Sequence, residues 1–128
     1  MASGGTNVVV GVDDDFRVRE SIESLVESAG YAPVVFGSAE EFLQSGTLTH
    51  ATCLITDVRM PGMDGIELQR RVRLERPMLP VIFITAHCNE EIRSLALSEG
   101  ALEFLYKPFD AVDLLKAIEA ALTMSPDN

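Results

Sequence analysis

Short apolar runs alternate along the chain with segments in which hydrophobic residues recur every three or four positions. The apolar runs predict buried strands, and the longer spacing predicts amphipathic helices. Four of the runs lead into side chains that can handle a metal or a phosphoryl group: Val8–Val12 before Asp13–Asp15, Cys53–Thr56 before Asp57, Val81–Ile84 before Thr85, and Phe104–Tyr106 before Lys107. If these runs are parallel strands, their polar ends meet at one sheet edge, where open α/β sheets bind ligands.

The remaining pattern adds one strand and five helices, which predicts a mostly parallel five-stranded sheet covered on both faces. The second strand is expected at Val34–Phe36. The helical stripes are Val18, Ile22, Leu25, Val26 and Ala29; Phe42 and Leu43; Ile66, Leu68, Val72 and Leu74; Ile92, Leu95 and Ala96; and Leu114, Leu115, Ile118 and Leu122. Expected helix ends are caps at Asp15 and Asp110, a capping box at Ser38 and Glu41, and stops at Gly30, Gly46, Pro77 with Pro80, and Gly100.

The chain of 128 residues has the length of one domain. We expect a core from about residue 7 to 123, with residues 1–6 and 124–128 as tails or a linker stub. No apolar stretch approaches the length of a membrane-spanning helix, and the N-terminus lacks the pattern of a signal peptide. These features predict a cytoplasmic protein.

The formal net charge of −10 makes direct binding of nucleic acid by this chain unfavourable, because phosphates would be repelled. Cys53 and Cys88 do not have the spacing of zinc ligands. Cys53 lies inside an apolar run and is expected to be a small buried hydrophobe, whereas Cys88 is expected to be a thiol near the surface.

The charges at the predicted sheet edge suit a divalent cation. Asp13, Asp14 and Asp57 bring three negative charges together, and a divalent cation with Lys107 supplies three positive charges. Oxygen ligands favour Mg²⁺. Asp57 stands alone at its strand end and is the candidate nucleophile toward a phosphoryl group. Thr85 could donate a hydrogen bond to that group, with Lys107 as a cation beside it.

These blocks, taken in order, resemble a known family. The segments that carry this resemblance are Val12–Asp15, Thr56–Gly65, Ile84–Ala86 and Tyr106–Phe109. The chain resembles the receiver domain of bacterial two-component response regulators, most closely the receivers of nitrogen-fixation and LuxR-type regulators. This resemblance implies a flavodoxin-like, doubly wound parallel sheet in the order 2-1-3-4-5 with five helices.

The resemblance also implies the roles of the site residues. Asp57 would accept a phosphoryl group from a histidine of a sensor kinase or a histidine phosphotransfer protein. Mg²⁺ would be held by Asp14, Asp57 and the Arg59 carbonyl, and by Asp13 mainly through water. Thr85 and Phe104 would form a switch pair, and Lys107 would contact the phosphoryl group through a loop with a cis Lys107–Pro108 bond. Small Ala86 leaves room for that group.

Further consequences of the resemblance concern regulation and partners. Phosphorylation, catalysed by the domain itself, would change the surface formed by the fourth helix, the fifth strand and the fifth helix. That surface would act on an effector protein or on a C-terminal output domain, or would form a homodimer. His87 and Arg59 are candidates for tuning the access of water to the phosphoryl group. Phe104 also fits a purely structural place in the core.

Three other functions remain open from the sequence. A phosphatase of the haloacid dehalogenase type also uses an Asp nucleophile, but it needs a second Asp where this chain has Arg59. A flavin-binding electron carrier needs a phosphate loop after the first strand, where this chain has Asp13–Asp15. A docking module that is never phosphorylated would not need the full set of acids with Thr85 and Lys107.

Overall fold

Strands and helices alternate along the whole described chain. This computed structural model describes residues 7–87 and 89–124. Its strands are β1 (Val8–Val12), β2 (Ala32–Phe36), β3 (Cys53–Asp57), β4 (Val81–Thr85) and β5 (Glu103–Tyr106). Its α-helices are α1 (Phe16–Ser28), α2 (Ala39–Ser45), α3 (Gly65–Glu75), α4 (Glu90–Ser98) and α5 (Ala111–Met124).

All neighbouring strands pair in parallel, and the sheet order is β2-β1-β3-β4-β5. The predicted order is therefore confirmed. Parallel neighbours require crossover connections, and the helices supply them. Because every strand runs the same way, all five carboxyl ends lie at the same edge of the sheet.

The core consists of two apolar layers, one on each face of the sheet. Successive residues of a strand point to opposite faces, so β4 sends Val81 and Phe83 to one layer and Ile82 and Ile84 to the other. The first layer packs under α2, α3 and α4, and the second under α1 and α5. Burial on both faces explains why β3 and β4 have no exposed residue.

Side-chain caps begin several helices where the sequence predicts them. Asp15 accepts a hydrogen bond from the Arg17 N–H at 2.9 Å, and Asp110 accepts one from the Val112 N–H at 2.7 Å. Ser38 caps the Glu41 N–H, as expected for a capping box. The Glu41 carboxylate, however, accepts from the Gly37 N–H at 3.1 Å, one residue before the position that the box predicts.

The structure corrects the sequence-based expectations in several places. Strand β2 begins at Ala32, two residues earlier than expected, and Thr47–Thr49 form a 3-10 turn that was not predicted. Leu74 was placed in the buried stripe of α3, but 83% of its surface is exposed. With 3.6 residues per turn, Leu74 points about 160° away from fully buried Val72, so it faces solvent instead of the apolar layer.

The expected boundary between the core and the C-terminal tail falls at residue 123. Helix α5 continues through Met124, so this residue belongs to the helix rather than to a tail. The other residues expected to form tails, 1–6 and 125–128, lie outside the described residues, and so does Cys88. Cys53 is fully buried, as expected, and burial raises the pKa of its thiol to about 12.

Within residues 7–87 and 89–124, none of the helices has the length and apolar character needed to cross a bilayer.

Two leucines of α3 test the burial assignment. Leu68→Ala should lower the free energy of unfolding by about 2–5 kcal/mol, because Leu68 is fully buried and its loss leaves a cavity. Leu74→Ala should change it by less than about 0.5 kcal/mol. Urea unfolding followed by circular dichroism measures both. An equal loss for the two variants would contradict the assignment.

Candidate functional site

The strand register staggers the candidate residues around one edge of the sheet. Asp57 pairs with Ile84, which places Thr85 one residue further along the neighbouring strand. Thr85 pairs with Tyr106, which places Lys107 one residue beyond that. The Lys107 N–H donates to the Thr85 carbonyl at 2.7 Å, so a backbone hydrogen bond fixes the position of Lys107 relative to Thr85.

Three carboxylates converge at this edge. Asp13, Asp14 and Asp57 each offer an oxygen atom, and these atoms all lie within 4.8 Å of one another. Asp13 and Asp57 are buried, whereas Asp14 is exposed, so the cluster is open to solvent on one side. Residues separated by more than 40 positions in the sequence are thus brought together by the sheet order.

Lys107 bridges two of these carboxylates. Its Nζ lies 2.9 Å from Asp13 Oδ2 and 3.0 Å from Asp57 Oδ2. Burial opposes the charge on this lysine, but the ion pairs with Asp13 and Asp57 outweigh burial and raise its pKa. The side chain therefore stays charged between Asp13 and Asp57.

The buried Asp13 carboxylate carries an electrostatic cost. Burial raises its pKa, and the nearby Asp57 carboxylate acts in the same direction. Hydrogen bonding to the Asp15 N–H, at 2.9 Å, and pairing with Lys107 oppose this effect without cancelling it. The charged form of Asp13 is therefore stabilised incompletely by the protein alone.

The backbone around Asp57 is tightly constrained. Asp57 Oδ1 accepts a hydrogen bond from the Val58 N–H at 2.7 Å, and the Thr56 hydroxyl donates to the Asp57 carbonyl at 2.9 Å. Gly65, at the start of α3, lies against the same carbonyl, where the Cβ of any other residue would overlap the Asp57 oxygen. Glycine at this position lets the loop after β3 return close to the strand.

Thr85 and its neighbours occupy the next position along the edge. Thr85 is 1% exposed, and its hydroxyl oxygen accepts a hydrogen bond from the His87 N–H at 3.1 Å. Ala86 and His87 are exposed. The Lys107–Pro108 peptide bond is cis, as the resemblance implies.

Phe104 lies in the core, with 5% of its surface exposed. Its ring centroid is 5.8 Å from that of Phe83 and 5.7 Å from that of Tyr106, and the latter pair meets edge to face. In this conformation the ring is turned inward and packed on both sides.

The donor set fits a hard divalent cation. Three carboxylates and one lysine leave an excess of negative charge, and the buried, incompletely stabilised Asp13 would gain from a cation nearby. Carboxylate and carbonyl oxygens with room for water are the environment that Mg²⁺ prefers. Arg59 is exposed and follows Asp57 by two residues, so its carbonyl is on the segment that borders the cluster.

Several residues that shape the site are not marked as functional by the sequence pattern. Asp64 caps α3 by accepting from the Glu67 N–H at 2.9 Å, a signal that the Asp-x-x-Glu spacing does carry. Arg19 Nη1 donates to the Asp13 carbonyl at 2.9 Å, and Glu40 accepts from the Met63 N–H at 2.9 Å. The Arg19 contact is local, six positions apart, but follows no capping pattern, and the contact of Glu40 with Met63 joins segments 23 positions apart.

Comparison with known proteins agrees with this geometry. A family model described as the response regulator receiver domain matches residues 9–119. The chain belongs to this family. As a receiver domain it is a phosphorylation-dependent signalling switch, and receiver domains of response regulators interact with kinases and output domains. The family predicted from the sequence is thus confirmed.

Individual relatives show how far the likeness extends. The response regulator protein TodT of Pseudomonas putida is 40% identical over 124 residues, which cover 97% of this chain and 55% of TodT. Among solved structures, the response regulator StyR is 41% identical with a TM-score of 0.86, covering 94% of this chain and 61% of StyR. FixJ-N is 34% identical with a TM-score of 0.81, covering 94% of this chain and 96% of FixJ-N. The receiver spans about half the length of the curated relatives that it matches.

Asp13→Asn should stabilise the Mg²⁺-free receiver at neutral pH, because the wild type must bury a carboxylate whose charged form is disfavoured. A raised pKa means that the contribution of Asp13 to stability is present at low pH and lost as the pH rises through the folded pKa. The advantage of the variant should therefore shrink as the pH falls toward the ordinary value of 3.8.

Urea unfolding at a series of pH values measures this effect. Asp110→Asn is the control, since Asp110 is an exposed cap outside the cluster and an asparagine oxygen can still accept the hydrogen bond. An Asp13→Asn variant that is less stable than the wild type at pH 7 would refute the prediction.

Proposed function

We propose that Asp57 is the phosphoacceptor of this receiver and that Mg²⁺ is its cofactor. The observation that supports the proposal best is the position of the Asp57 carboxylate, which shares Lys107 with Asp13 and lies in one cluster with Asp13 and Asp14. A nucleophilic carboxylate needs cations around it, because charge accumulates on the phosphoryl oxygens during transfer.

The proposed reaction moves one phosphoryl group. An oxygen of the Asp57 carboxylate forms a bond to phosphorus, the bond between phosphorus and the donor histidine nitrogen breaks, and the electron pair of that bond goes to the imidazole. Lys107 already contacts Asp57 Oδ2 at 3.0 Å, so its ammonium group lies where it could pair with an added phosphoryl oxygen. Thr85 could donate its hydroxyl hydrogen to another of these oxygens.

The metal ligands in this proposal are Asp14, Asp57 and the Arg59 carbonyl, with Asp13 acting mainly through water. When bound, Mg²⁺ supplies positive charge to the phosphoryl oxygens. The chain contributes the orientation of the acids: Asp13 is fixed by the Asp15 N–H, and Asp57 by the Val58 N–H. Asp14 is exposed, so a cation from solvent can enter the cluster next to this acid.

Thr85 and Phe104 carry the proposed conformational response. The Thr85 hydroxyl oxygen now accepts a hydrogen bond from the His87 N–H, and movement toward a phosphoryl group would break that bond. Because the Phe104 ring is already inside, we propose that Thr85 and the adjoining loop respond first. The change would then reach the surface of α4, β5 and α5, with Ala86 leaving space beside the phosphoryl group.

The partners in this proposal are those that a receiver needs. A sensor kinase or a histidine phosphotransfer protein would donate the phosphoryl group in the cytoplasm. The α4-β5-α5 surface would act on an effector, on a C-terminal output domain like the additional half of the curated relatives, or on a second receiver. The receiver would catalyse its own phosphorylation and dephosphorylation, and exposed His87 and Arg59 would affect how water reaches the phosphoryl group.

Asp57→Asn should abolish phosphorylation, because the amide is a poor nucleophile toward phosphorus. With Mg²⁺ and phosphoramidate, intact-protein mass spectrometry should show the mass of one added phosphoryl group on the wild type and none on the variant. Asp64→Asn, which keeps an oxygen able to cap α3, should be labelled normally. Stoichiometric labelling of the Asp57 variant would move the acceptor elsewhere.

Lys107→Ala should leave Mg²⁺ binding intact or make it tighter, because the lysine competes with a cation for Asp13 and Asp57. It should also abolish the NMR shifts that beryllofluoride with Mg²⁺ produces at Thr85 and Phe104 in the wild type. Lys116→Ala, which removes an exposed lysine of α5, is the control. Complete loss of Mg²⁺ binding in Lys107→Ala would contradict the proposed ligand set.

A further inference from the structure

The loop that follows the candidate phosphoacceptor is hydrogen-bonded to α2, a helix that carries none of the candidate site residues. Residues 58–64 connect β3 to α3. Near the end of this loop, the Met63 N–H donates to Glu40 Oε2 at 2.9 Å. Glu40 lies in the first turn of α2, 23 positions earlier in the sequence. The loop is thus held to α2 by a side-chain carboxylate.

Several features show that this contact is closely fitted. Gly62 has a φ of +78°, and a Cβ built there would lie 2.6 Å from Glu40 Oε2. Only glycine therefore combines this backbone conformation with the approach of the carboxylate. The hydrogen bond from the Met63 N–H lowers the pKa of Glu40, so the acceptor stays charged at neutral pH.

Apolar side chains hold the same loop from below. Met60 is buried in the layer under α2, α3 and α4, and Met63 packs against that layer. These two residues fix the depth of the loop, whereas the Glu40 bond fixes the direction of its backbone near Gly62. Arg59 lies next to Met60, so the position of its carbonyl depends on how this loop is held.

We propose that Glu40 is a positioning residue for the metal site: by holding the Met63 N–H, it orients the loop that carries the Arg59 carbonyl and so strengthens Mg²⁺ binding. This inference rests on the proposed function, because it takes Mg²⁺ as the cofactor and the Arg59 carbonyl as a ligand. Groups that orient metal ligands without touching the metal commonly matter in this way.

A simple effect of charge must be separated from this role, since removing any acid near the cluster weakens the attraction for a cation. The chain offers matched variants. Glu40→Ala removes both the charge and the bond, Glu40→Asp keeps the charge but is one methylene too short, and Glu40→Gln keeps an oxygen of the right reach without the charge. Glu41→Ala removes an equal charge from the next residue, whose carboxylate binds Gly37 rather than the loop.

Calorimetric titration of each variant with MgCl₂ tests the proposal. Glu40→Ala and Glu40→Asp should weaken Mg²⁺ binding by about tenfold, which is the lower end of the range for groups that orient metal ligands without touching the metal. Glu40→Gln and Glu41→Ala should remain much closer to the wild type. Urea unfolding of the same variants and amide hydrogen exchange at Met60 and Met63 then distinguish local loosening of the loop from general destabilisation.

The outcomes separate this inference from the proposed function. If Glu40→Ala binds Mg²⁺ as Glu41→Ala does, or if Glu40→Gln loses as much affinity as Glu40→Ala, the contact has no positioning role and the inference fails. If Glu40→Ala loses affinity only in proportion to its loss of global stability, the inference also fails. If wild-type protein binds Mg²⁺ no better than Asp57→Asn, the proposed site itself fails.

Discussion

The structure depends on holding like charges together at one edge of the sheet. Asp13 and Asp57 are buried side by side, Asp14 lies within reach of both, and one lysine bridges the two buried acids. Removing carboxylates from water is costly, and Lys107 compensates only part of that cost, as the raised pKa of Asp13 shows. The site therefore has a built-in affinity for further positive charge.

The two apolar layers are what can sustain this arrangement. Strands β3 and β4 are buried along their whole length, and the sheet is packed on both faces by fully buried side chains such as Phe42, Phe83 and Ile118. Such a core holds the strand ends in register while the acids repel one another. The electrostatic strain is confined to an edge where the backbone amides of Asp15 and Val58 supply additional hydrogen bonds.

Much of this could be predicted from the sequence, for a physical reason. Strand ends are marked by the change from apolar to polar residues, and parallel strands bring those ends together, so Asp13, Asp57, Thr85 and Lys107 could be assigned to one edge. Burial of Leu74 was predicted wrongly, because its apolar side chain was added to the stripe although helical geometry places it nearly opposite Val72. The start of β2 was placed late, since Pro33 does not look like part of a strand although an edge strand tolerates it.

Contacts between distant segments were beyond the reach of the sequence pattern. In the sequence, Glu40 looks like an ordinary acid in the first turn of a helix and Met63 like a loop residue. Their hydrogen bond forms only because α2 packs beside the loop. The same limit applies to Phe104, whose strand position fits both a core residue and a switch, and whose inward ring is set by Phe83 and Tyr106. A parallel sheet thus brings the reactive groups together through its register, which the sequence encodes strand by strand. The exact direction of each group is set afterwards by loop contacts such as those of Gly65 with Asp57 and Glu40 with Met63, which depend on the assembled fold.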